Sequence, residues 1–574
     1  MCIAVHDIID VMAERRVRLS LTPNAKLVLS KRYLWRDERG HAVESPTELF
    51  RRVAHRIAST ERVGKKKWEN AFFEMMVAGR FLPNSPTLMN AGREAGQLSA
   101  CFVLPVEDSL ESVFDSLKAA AQIHQSGGGT GFSFSRLRPK GARVKSSSGV
   151  ASGPVSFIRV FDMATETIKQ GGVRRGANMA VLGVGHPDIS EFISVKREFK
   201  ELTNFNISVG TTRAFMEAVS ADGLYQLDFS AEERRARQVL DQLVDAAWTC
   251  GDPGLVFLDR INQLNPTPRL GPMESTNPCG EQPLLPFESC NLGSLNLSKY
   301  GLEGSFDFAL FRLDIRRAVR FLDNVIECNH YPLVESERVT RSNRKIGLGV
   351  MGLADLLLFL QIPYDSPEAR RWGELLMSFL DREAKAESMR LAVERGAFKN
   401  WKGSLWDRLG YPKMRNATVS TVAPTGTISM IAGCSSGIEP IFAARFERNV
   451  LDGESLREIH PAVQRQLRRL GVSVQAALEL SDAEIGIRLG AAWSPAFSVG
   501  VEGHVRMQAA FQRHSDSAVS KTINLPMTAS RDDVRKAYLL AYELGCKGIT
   551  IYRDRSRPAQ VLVATAPANV CPSC

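Results

Sequence analysis

Apolar positions recur at helical spacing in the first part of the chain, then give way to short apolar runs interleaved with amphipathic stretches. Ser45, Pro46, Thr47 and Glu48 read as a capping box with proline in the first turn. Leu49, Phe50, Val53, Ala54, Ile57 and Ala58 then follow three or four apart, one face of a helix. The spacing predicts a helical lead-in over residues 1–80 that packs on the main domain. From Phe81 onward strand-like runs alternate with helices, one carrying Ile315, Val319, Leu322 and Ile326 and another spanning 382–395. Such alternation sustained over 81–557 predicts an α/β domain. After Arg557 the texture changes to Pro558, Ala559, Gln560 and small residues, ending in Cys571-Pro572-Ser573-Cys574. That composition predicts a mobile tail over 558–574. No internal repeat stands out.

Composition narrows the class. At 574 residues and 44% hydrophobic, the chain can bury a large core. It has no continuous apolar run long enough to span a bilayer, and its start lacks the pattern of a secretory signal, so a soluble, cytoplasmic protein without membrane partners is expected. Ten cysteines in so long a chain are too dilute for a disulfide scaffold and fit redox chemistry in a reducing compartment. The net charge of +10 (73 Lys+Arg against 63 Asp+Glu) comes without a basic block or a nucleic-acid motif, so no direct nucleic-acid partner is expected. Local cations such as Arg136, Arg138, Arg143 and Lys145 would suit phosphate-bearing small molecules equally well.

Candidate chemistry concentrates in Asn277-Pro278-Cys279-Gly280-Glu281, with Cys290 close behind. Proline before the thiol and glycine after it favour a tight exposed turn. An amide to orient hydroxyls, a carboxylate to move protons and a sulfur for bond-making suit chemistry on a polyol such as ribose. Alone, a Cys-Gly-Glu is more often a core thiol beside a surface loop. The glycine run 127–131 completes neither a dinucleotide fingerprint nor a P-loop, and alone reads as a tight turn.

Six motifs in order change the weighting. They are Phe81-Leu82-Pro83-Asn84-Ser85-Pro86-Thr87-Leu88-Met89-Asn90, Ser99-Ala100-Cys101-Phe102-Val103 and Gly127-Gly128-Gly129-Thr130-Gly131. Lys169-Gln170-Gly171-Gly172-Val173-Arg174-Arg175-Gly176-Ala177, the Asn277 to Glu281 turn and Ala423-Pro424-Thr425-Gly426-Thr427-Ile428 follow. Together they resemble the catalytic chain of ribonucleotide reductases, most closely the adenosylcobalamin-dependent class. The resemblance implies a ten-stranded α/β barrel with a central finger loop that carries Cys279 inward.

The resemblance also implies roles. Cys279 would be the thiyl-radical residue, Glu281 the general base for the ribose 3′-OH and Asn277 the hydroxyl ligand; Cys101 and Cys290 would reduce the 2′ carbon and become a disulfide. Ser85, Ala100 and Gly129 would contact substrate, Ala100 only through its backbone because the family often has serine there. Pro424, Thr425, Gly426, Thr427 and Ile428 would cradle the phosphates, a natural task for a loop that opens a helix. Asp108, Ser109, Arg138 and Lys145 would bind a deoxynucleotide effector at a homodimer interface, and the loop 169–177 would relay effector identity to substrate choice. The family's N-terminal ATP-sensing cone is not evident, so on/off control of that kind is not expected.

The radical source also follows from the resemblance. Reductases that draw their radical from a separate metal subunit carry two adjacent tyrosines where this chain reads Ile549-Thr550-Ile551-Tyr552-Arg553. With one tyrosine that relay lacks a step, and Lys521-Thr522-Ile523-Asn524-Leu525-Pro526 looks like the cobalamin class, so adenosylcobalamin is the implied cofactor. Arg555 departs from the glycine expected in that class. Cys571 and Cys574 read as a redox shuttle serving a thioredoxin-like reductant, since half a zinc ribbon has no second half here. Cys2, Cys250, Cys328, Cys434 and Cys546 are expected to be structural. Two alternatives stay open: the large subunit of a two-subunit reductase, and a non-catalytic nucleotide-binding regulator. Diphosphates are the expected substrates, though the sequence does not separate them from triphosphates.

Overall fold

The computed structural model describes residues 19–94, 96–143, 149–170, 174–450, 454–557 and 562–564. Three helices lead: α1 (Pro23–Arg32), α2 (Pro46–Ala58) and α3 (Lys65–Val77). The capping box at α2 is complete. Ser45 Oγ accepts from the Glu48 N–H at 3.3 Å, and the Glu48 carboxylate accepts from the Ser45 N–H at 2.7 Å. All six apolar residues expected on the inner face of α2 are buried.

Five parallel strands follow: β1 (Cys101–Leu104), β2 (Gly129–Ser133), β3 (Asn178–Gly183), β4 (Phe205–Thr211) and β5 (Gly254–Phe257). Helix α4 (Leu110–Gln125) links β1 to β2, and α5 (Pro154–Thr167) lies between β2 and β3. A second set runs the other way: β6 (Ser289–Asn296) parallel to β7 (Ile346–Met351), and β8 (Thr522–Leu525) parallel to β9 (Gly548–Arg553). The two sets meet antiparallel at both seams, β6 against β1 and β9 against β5.

Closure needs one more strand, supplied by the extended segment 418–422. Ile346 N–H donates to Thr418 O and Leu348 N–H to Val419 O on one side; Val422 N–H donates to Ala518 O and Ser520 N–H to Val422 O on the other. Nine strands and this segment make the ten-stranded barrel that the resemblance implied. The short strand Phe81–Pro83 pairs along β6 outside that ring.

Two long helices buttress the second set: α6 (Phe308–Cys328) and α7 (Pro367–Arg395), with the short α8 (Gly426–Ala432) beyond the closing segment. Ile315, Val319, Leu322 and Ile326 of α6 are buried as expected. Helix α7 is longer than its sequence suggested. Gly373 falls in the part that was missed, where a Cβ would approach the Phe511 ring to 2.7 Å. Phe321 of α6 meets Phe72 of α3 and Phe81 edge-on, at 5.1 and 5.2 Å between centroids, locking the lead-in to the barrel. Among the described residues, no helix is long and apolar enough to cross a membrane.

The same junction carries a buried ionic network. Arg320 of α6 binds Glu61 at 2.7 Å, Arg395 at the end of α7 reaches Glu61 at 2.6 Å, and Arg344 ahead of β7 binds Asp323 at 2.9 Å. Burial pushes the Glu61 and Asp323 carboxyls upward, but the guanidinium groups around them prevail and hold both below their ordinary values.

The barrel interior is filled by a backbone hairpin. Ser275–Thr276 pairs with Pro283–Leu284, and the intervening finger sits inside the ring. A Cβ at Gly131 would fall 1.8 Å from Thr276 O, and one at Gly129 would fall 2.9 Å from the Pro278 ring. Asn206 Nδ2 donates to Pro278 O at 2.7 Å from the first set of strands. From the second, the Ala518 N–H and Thr421 Oγ1 donate to Glu281 O at 2.9 and 3.0 Å.

Two outcomes follow. Glu61 and Asp323 have depressed folded values, so their stabilisation is present above the unfolded carboxylate range and is lost as pH falls from there through the folded values. A broken buried pair costs about 3–5 kcal/mol. The part of thermal melting that these pairs supply should therefore fall away below about pH 4. Gly131→Ala should unseat the finger while the cores persist: limited proteolysis should newly cut within 275–284 at a Tm lowered by only a few degrees.

Candidate active site

Register aligns the thiols. Cys101 of β1 stands directly opposite Cys290 of β6, and on its other side Cys101 neighbours Gly129 of β2. Asn291 pairs with Ile346, which places Lys345 beside Cys290; Thr130 pairs with Asn178, which places Ala177 beside Gly129. One row across the wall thus reads Lys345, Cys290, Cys101, Gly129, Ala177. No disulfide joins these cysteines to each other or to Cys279; Cys101 and Cys290 are buried, whereas Cys279 is exposed at the finger tip. Antiparallel neighbours in register lie within disulfide reach.

The finger brings the amide and carboxylate to that row. Asn277 Nδ2 donates to Cys101 Sγ at 3.1 Å, and Asn277 Oδ1 accepts from the Gln282 N–H at 2.9 Å, so the amide is oriented at both ends. Gly280 adopts φ +81°, which makes the turn just after Cys279. Glu281 is 2% exposed, and its Oε2 is buried with no hydrogen-bond partner among the described residues. Burial pushes its carboxyl up to about 7, against the Asn277 hydrogen bond. Cys101 is driven well above the ordinary thiol range by burial, then by Glu281, Cys290 and Cys279; Cys290 is driven up by burial but is opposed by Lys345.

Beyond the finger tip lies a cavity of about 430 Å³. Pro278, Cys279 and Gly280 form one wall; Met179, Leu255, Thr522, Asn524, Ile551 and Tyr552 contribute to the others. No short cofactor motif is visible in the sequence; the liners come from short runs on strands far apart in the chain, among them 206–208, 254–256, 519–522 and 548–552. Tyr552, the lone tyrosine of its segment, is among them. Arg555, where glycine was expected, keeps the left-handed turn with φ +56°.

The remaining candidates fall into three groups. Ala100, Cys101, Cys290 and Ala423 pack together with Leu284 of the finger. Ala100 N–H is taken by Cys290 O and its carbonyl accepts from the Gly129 N–H, so one carbonyl lone pair is what its backbone has left to offer. Ser85 opens the short helix Ser85–Asn90 and shares a 2.7 Å hydrogen bond with Tyr33. Pro424 and Thr425 lead into α8; Thr425 is left-handed at φ +54°, and nothing lies within 4 Å of where a Gly426 Cβ would sit, so the first-turn N–H groups have open space beside them. In the second group Asp108 and Arg138 are joined at 2.8 Å, and Ser109 caps α4. Lys145 lies outside the described residues, as do Cys2, Cys571 and Cys574. Cys250, Cys328, Cys434 and Cys546 are buried.

Sequence analysis missed the residues that brace the finger. Thr421 lies in the closing segment, Ala518 in the extended stretch ahead of β8 and Asn206 in β4, so they meet at the finger only once the ring is closed. The β-branched run Thr418-Val419-Ser420-Thr421-Val422 ahead of Pro424 was the available signal.

Comparison with known proteins bears on the whole chain. Residues 19–96 match the family model described as "Ribonucleotide reductase, all-alpha domain", and 99–552 match "Ribonucleotide reductase, barrel domain". A vitamin B12-dependent ribonucleoside-diphosphate reductase of Thermoplasma acidophilum is 47% identical over 95% of this chain and 80% of its own length. One of the same name from Mycobacterium tuberculosis is 48% identical over 96% and 82%. A vitamin B12-dependent ribonucleotide reductase of Streptomyces avermitilis is 32% identical over 84% and 59%. Matches and geometry agree over nearly the whole described chain, which belongs to the ribonucleotide reductase family.

Proposed function

We propose that the chain reduces ribonucleoside diphosphates to 2′-deoxyribonucleotides by thiyl-radical chemistry that adenosylcobalamin initiates. The observation that carries this is the convergence of Asn277, Cys279 and Glu281 on the row that holds Cys101 and Cys290 in register. The vitamin B12-dependent names of the relatives at 47 and 48% identity support the cofactor.

Each residue's part follows from its setting. The Cys279 sulfur radical takes the ribose 3′ hydrogen and later returns it. Glu281, held near neutrality by burial, is matched to accept the 3′-OH proton at working pH. Asn277 orients the sugar hydroxyls and Cys101. Cys101 and Cys290 together supply two hydrogens as the 2′-OH leaves as water, and their sulfurs join. The balance is one ribonucleotide and two thiols to one deoxyribonucleotide, one disulfide and one water.

The cavity beside Cys279 suits a nucleoside-sized group, with apolar walls from Met179, Leu255 and Ile551 and polar edges from Thr522, Asn524 and Tyr552. Met179, Leu255, Asn524 and Tyr552 would hold the nucleoside part of an adenosylcobalamin there, beside Cys279, and the cofactor would supply the one-electron oxidation of that thiol. Ser85, Ala100, Gly129 and residues 424–428 would hold the substrate on the other side of the finger. Asp108, Ser109, Arg138 and Lys145 would bind the effector, and 169–177 would relay it. Leu110 and Phe114 of α4 and Val160 and Met163 of α5 are exposed apolar residues on paired helices next to that site, which supports a homodimer through this face. Cys571 and Cys574 would pass electrons from a thioredoxin-like partner to the disulfide. A cytoplasmic enzyme in three parts (1–80, 81–557 and 558–574) completes the proposal.

Anaerobic incubation with CDP and dithiothreitol should yield dCDP only when adenosylcobalamin is added; product without it, or none with it, would count against the cofactor or the reaction. Cys279→Ala should lower turnover at least about 10⁴-fold while nucleotide binding changes little, because its part is chemical. Replacing Cys571 and Cys574 by serine should stop turnover driven by thioredoxin yet spare it with dithiothreitol; equal loss with both would point to a structural tail.

A further inference from the structure

Lys345 and Glu288 form a buried pair with no part in the steps above. Lys345 is 2% exposed and Glu288 1% exposed, and Nζ lies 2.5 Å from Glu288 Oε2. The Leu285 N–H and Asn343 Nδ2 also donate to Glu288, at 2.7 and 2.6 Å. Glu288 precedes Cys290 by two residues, in the turn that leads into β6, and its charge acts on Cys290, while Lys345 adjoins Cys290 across the β6–β7 ladder. Buried ion pairs are costly to build, so one placed beside a reactive sulfur asks for a chemical reason.

The two sulfurs differ in what faces them. Cys290 is met by Cys101 across β1, Glu281 from the finger, Glu288 from its own chain and Lys345 from the β7 side. Cys101 is met by Glu281, Cys279, Cys290 and the Asn277 amide, none of them a cation, whereas among the described residues Lys345 is the cation that acts on Cys290. Lys345 itself faces Glu288 and, more distantly, Lys547. When a disulfide is cut by a thiolate, one sulfur gains a bond and the other leaves with the electron pair. In so apolar a setting a bare thiolate is strongly disfavoured, so the sulfur beside a cation is the better leaving group.

We infer that Lys345 makes Cys290 the leaving sulfur when the Cys101–Cys290 disulfide is reduced, so that the incoming dithiol bonds first to Cys101. A thiolate of the dithiol forms an S–S bond with Cys101 Sγ. The Cys101–Cys290 bond breaks, and its electron pair stays on Cys290 Sγ beside the Lys345 ammonium. The second thiolate of the reductant then closes the reductant's own disulfide and releases Cys101. The two protons given up by the dithiol finish on the two cysteines. Lys345 is thus a positioning residue for charge, acting through Cys290.

The inference rests on the assignment of Cys101 and Cys290 as the redox pair, and one experiment separates the two. With Cys571 and Cys574 replaced by serine, so that the tail cannot take up the disulfide, a single anaerobic turnover of the cobalamin-loaded enzyme without reductant should leave it on Cys101 and Cys290; dithiothreitol is then added, and thiols are counted by alkylation and mass spectrometry from about pH 6.5 to about 9. Lys345→Met should slow their return by about tenfold or more and shift the pH profile upward, and Lys345→Arg should restore most of the rate. In the same tail variant with Lys345 retained, a monothiol trap should be recovered on Cys101. Equal rates in the Met variant, or an adduct on Cys290, would overturn the inference. Absence of any disulfide after turnover would overturn the pair assignment beneath it.

Discussion

Everything in this molecule depends on a barrel that gives its centre to backbone. Cylinders of parallel strands are ordinarily filled by inward side chains. Here the inward positions at Gly129 and Gly131 are bare, and peptide groups of the finger occupy the space. Backbone placed in a core has to find hydrogen-bond partners or pay heavily for lacking them. Asn206 meets that need from one set of strands, and Thr421 and Ala518 meet it from the other. Because those partners sit on opposing walls, the position of Cys279 is fixed by closure of the ring, not by the finger's own turn.

Burial then sets the electrostatics. Burial around the finger raises Glu281, Cys101 and Cys290 alike, which suits the proton transfer proposed for Glu281 and hinders ionisation of the two thiols. In the proposed reaction one physical cause would therefore help the proton transfer and oppose the electron transfer. The Glu288–Lys345 pair adds charge at the one sulfur where it relieves the conflict. Elsewhere the same trade appears in structural form, where Glu61 and Asp323 are kept ionised by the guanidinium groups that join the lead-in helices to the barrel.

How much of this was legible in the sequence varied with the range of the interaction. The capping box at Ser45 and the apolar stripes of α2 and α6 are local, and periodicity found them. The Cys279 turn was legible because proline, glycine and an acid stand within five positions. The pairing of Cys101 with Cys290 was not, since it depends on an antiparallel seam between distant strands; only resemblance suggested it. The first half of α7 was obscured by Gly373, whose reason is a ring from another helix. The closing segment 418–422 bonds irregularly, and the cavity is assembled from short runs on strands that lie hundreds of residues apart, so neither left a pattern along the chain.

The position of Cys101 and Cys290 has a mechanical side. They face each other across one of the two seams where the antiparallel halves of the cylinder meet. A bond between them would rivet the halves together, turning a zipper of hydrogen bonds into a covalent hoop. Each catalytic cycle would then stiffen the wall on oxidation and loosen it on reduction. The redox state of one pair of atoms would thereby be written into the rigidity of the whole container, where both the cofactor cavity and the substrate loops could feel it.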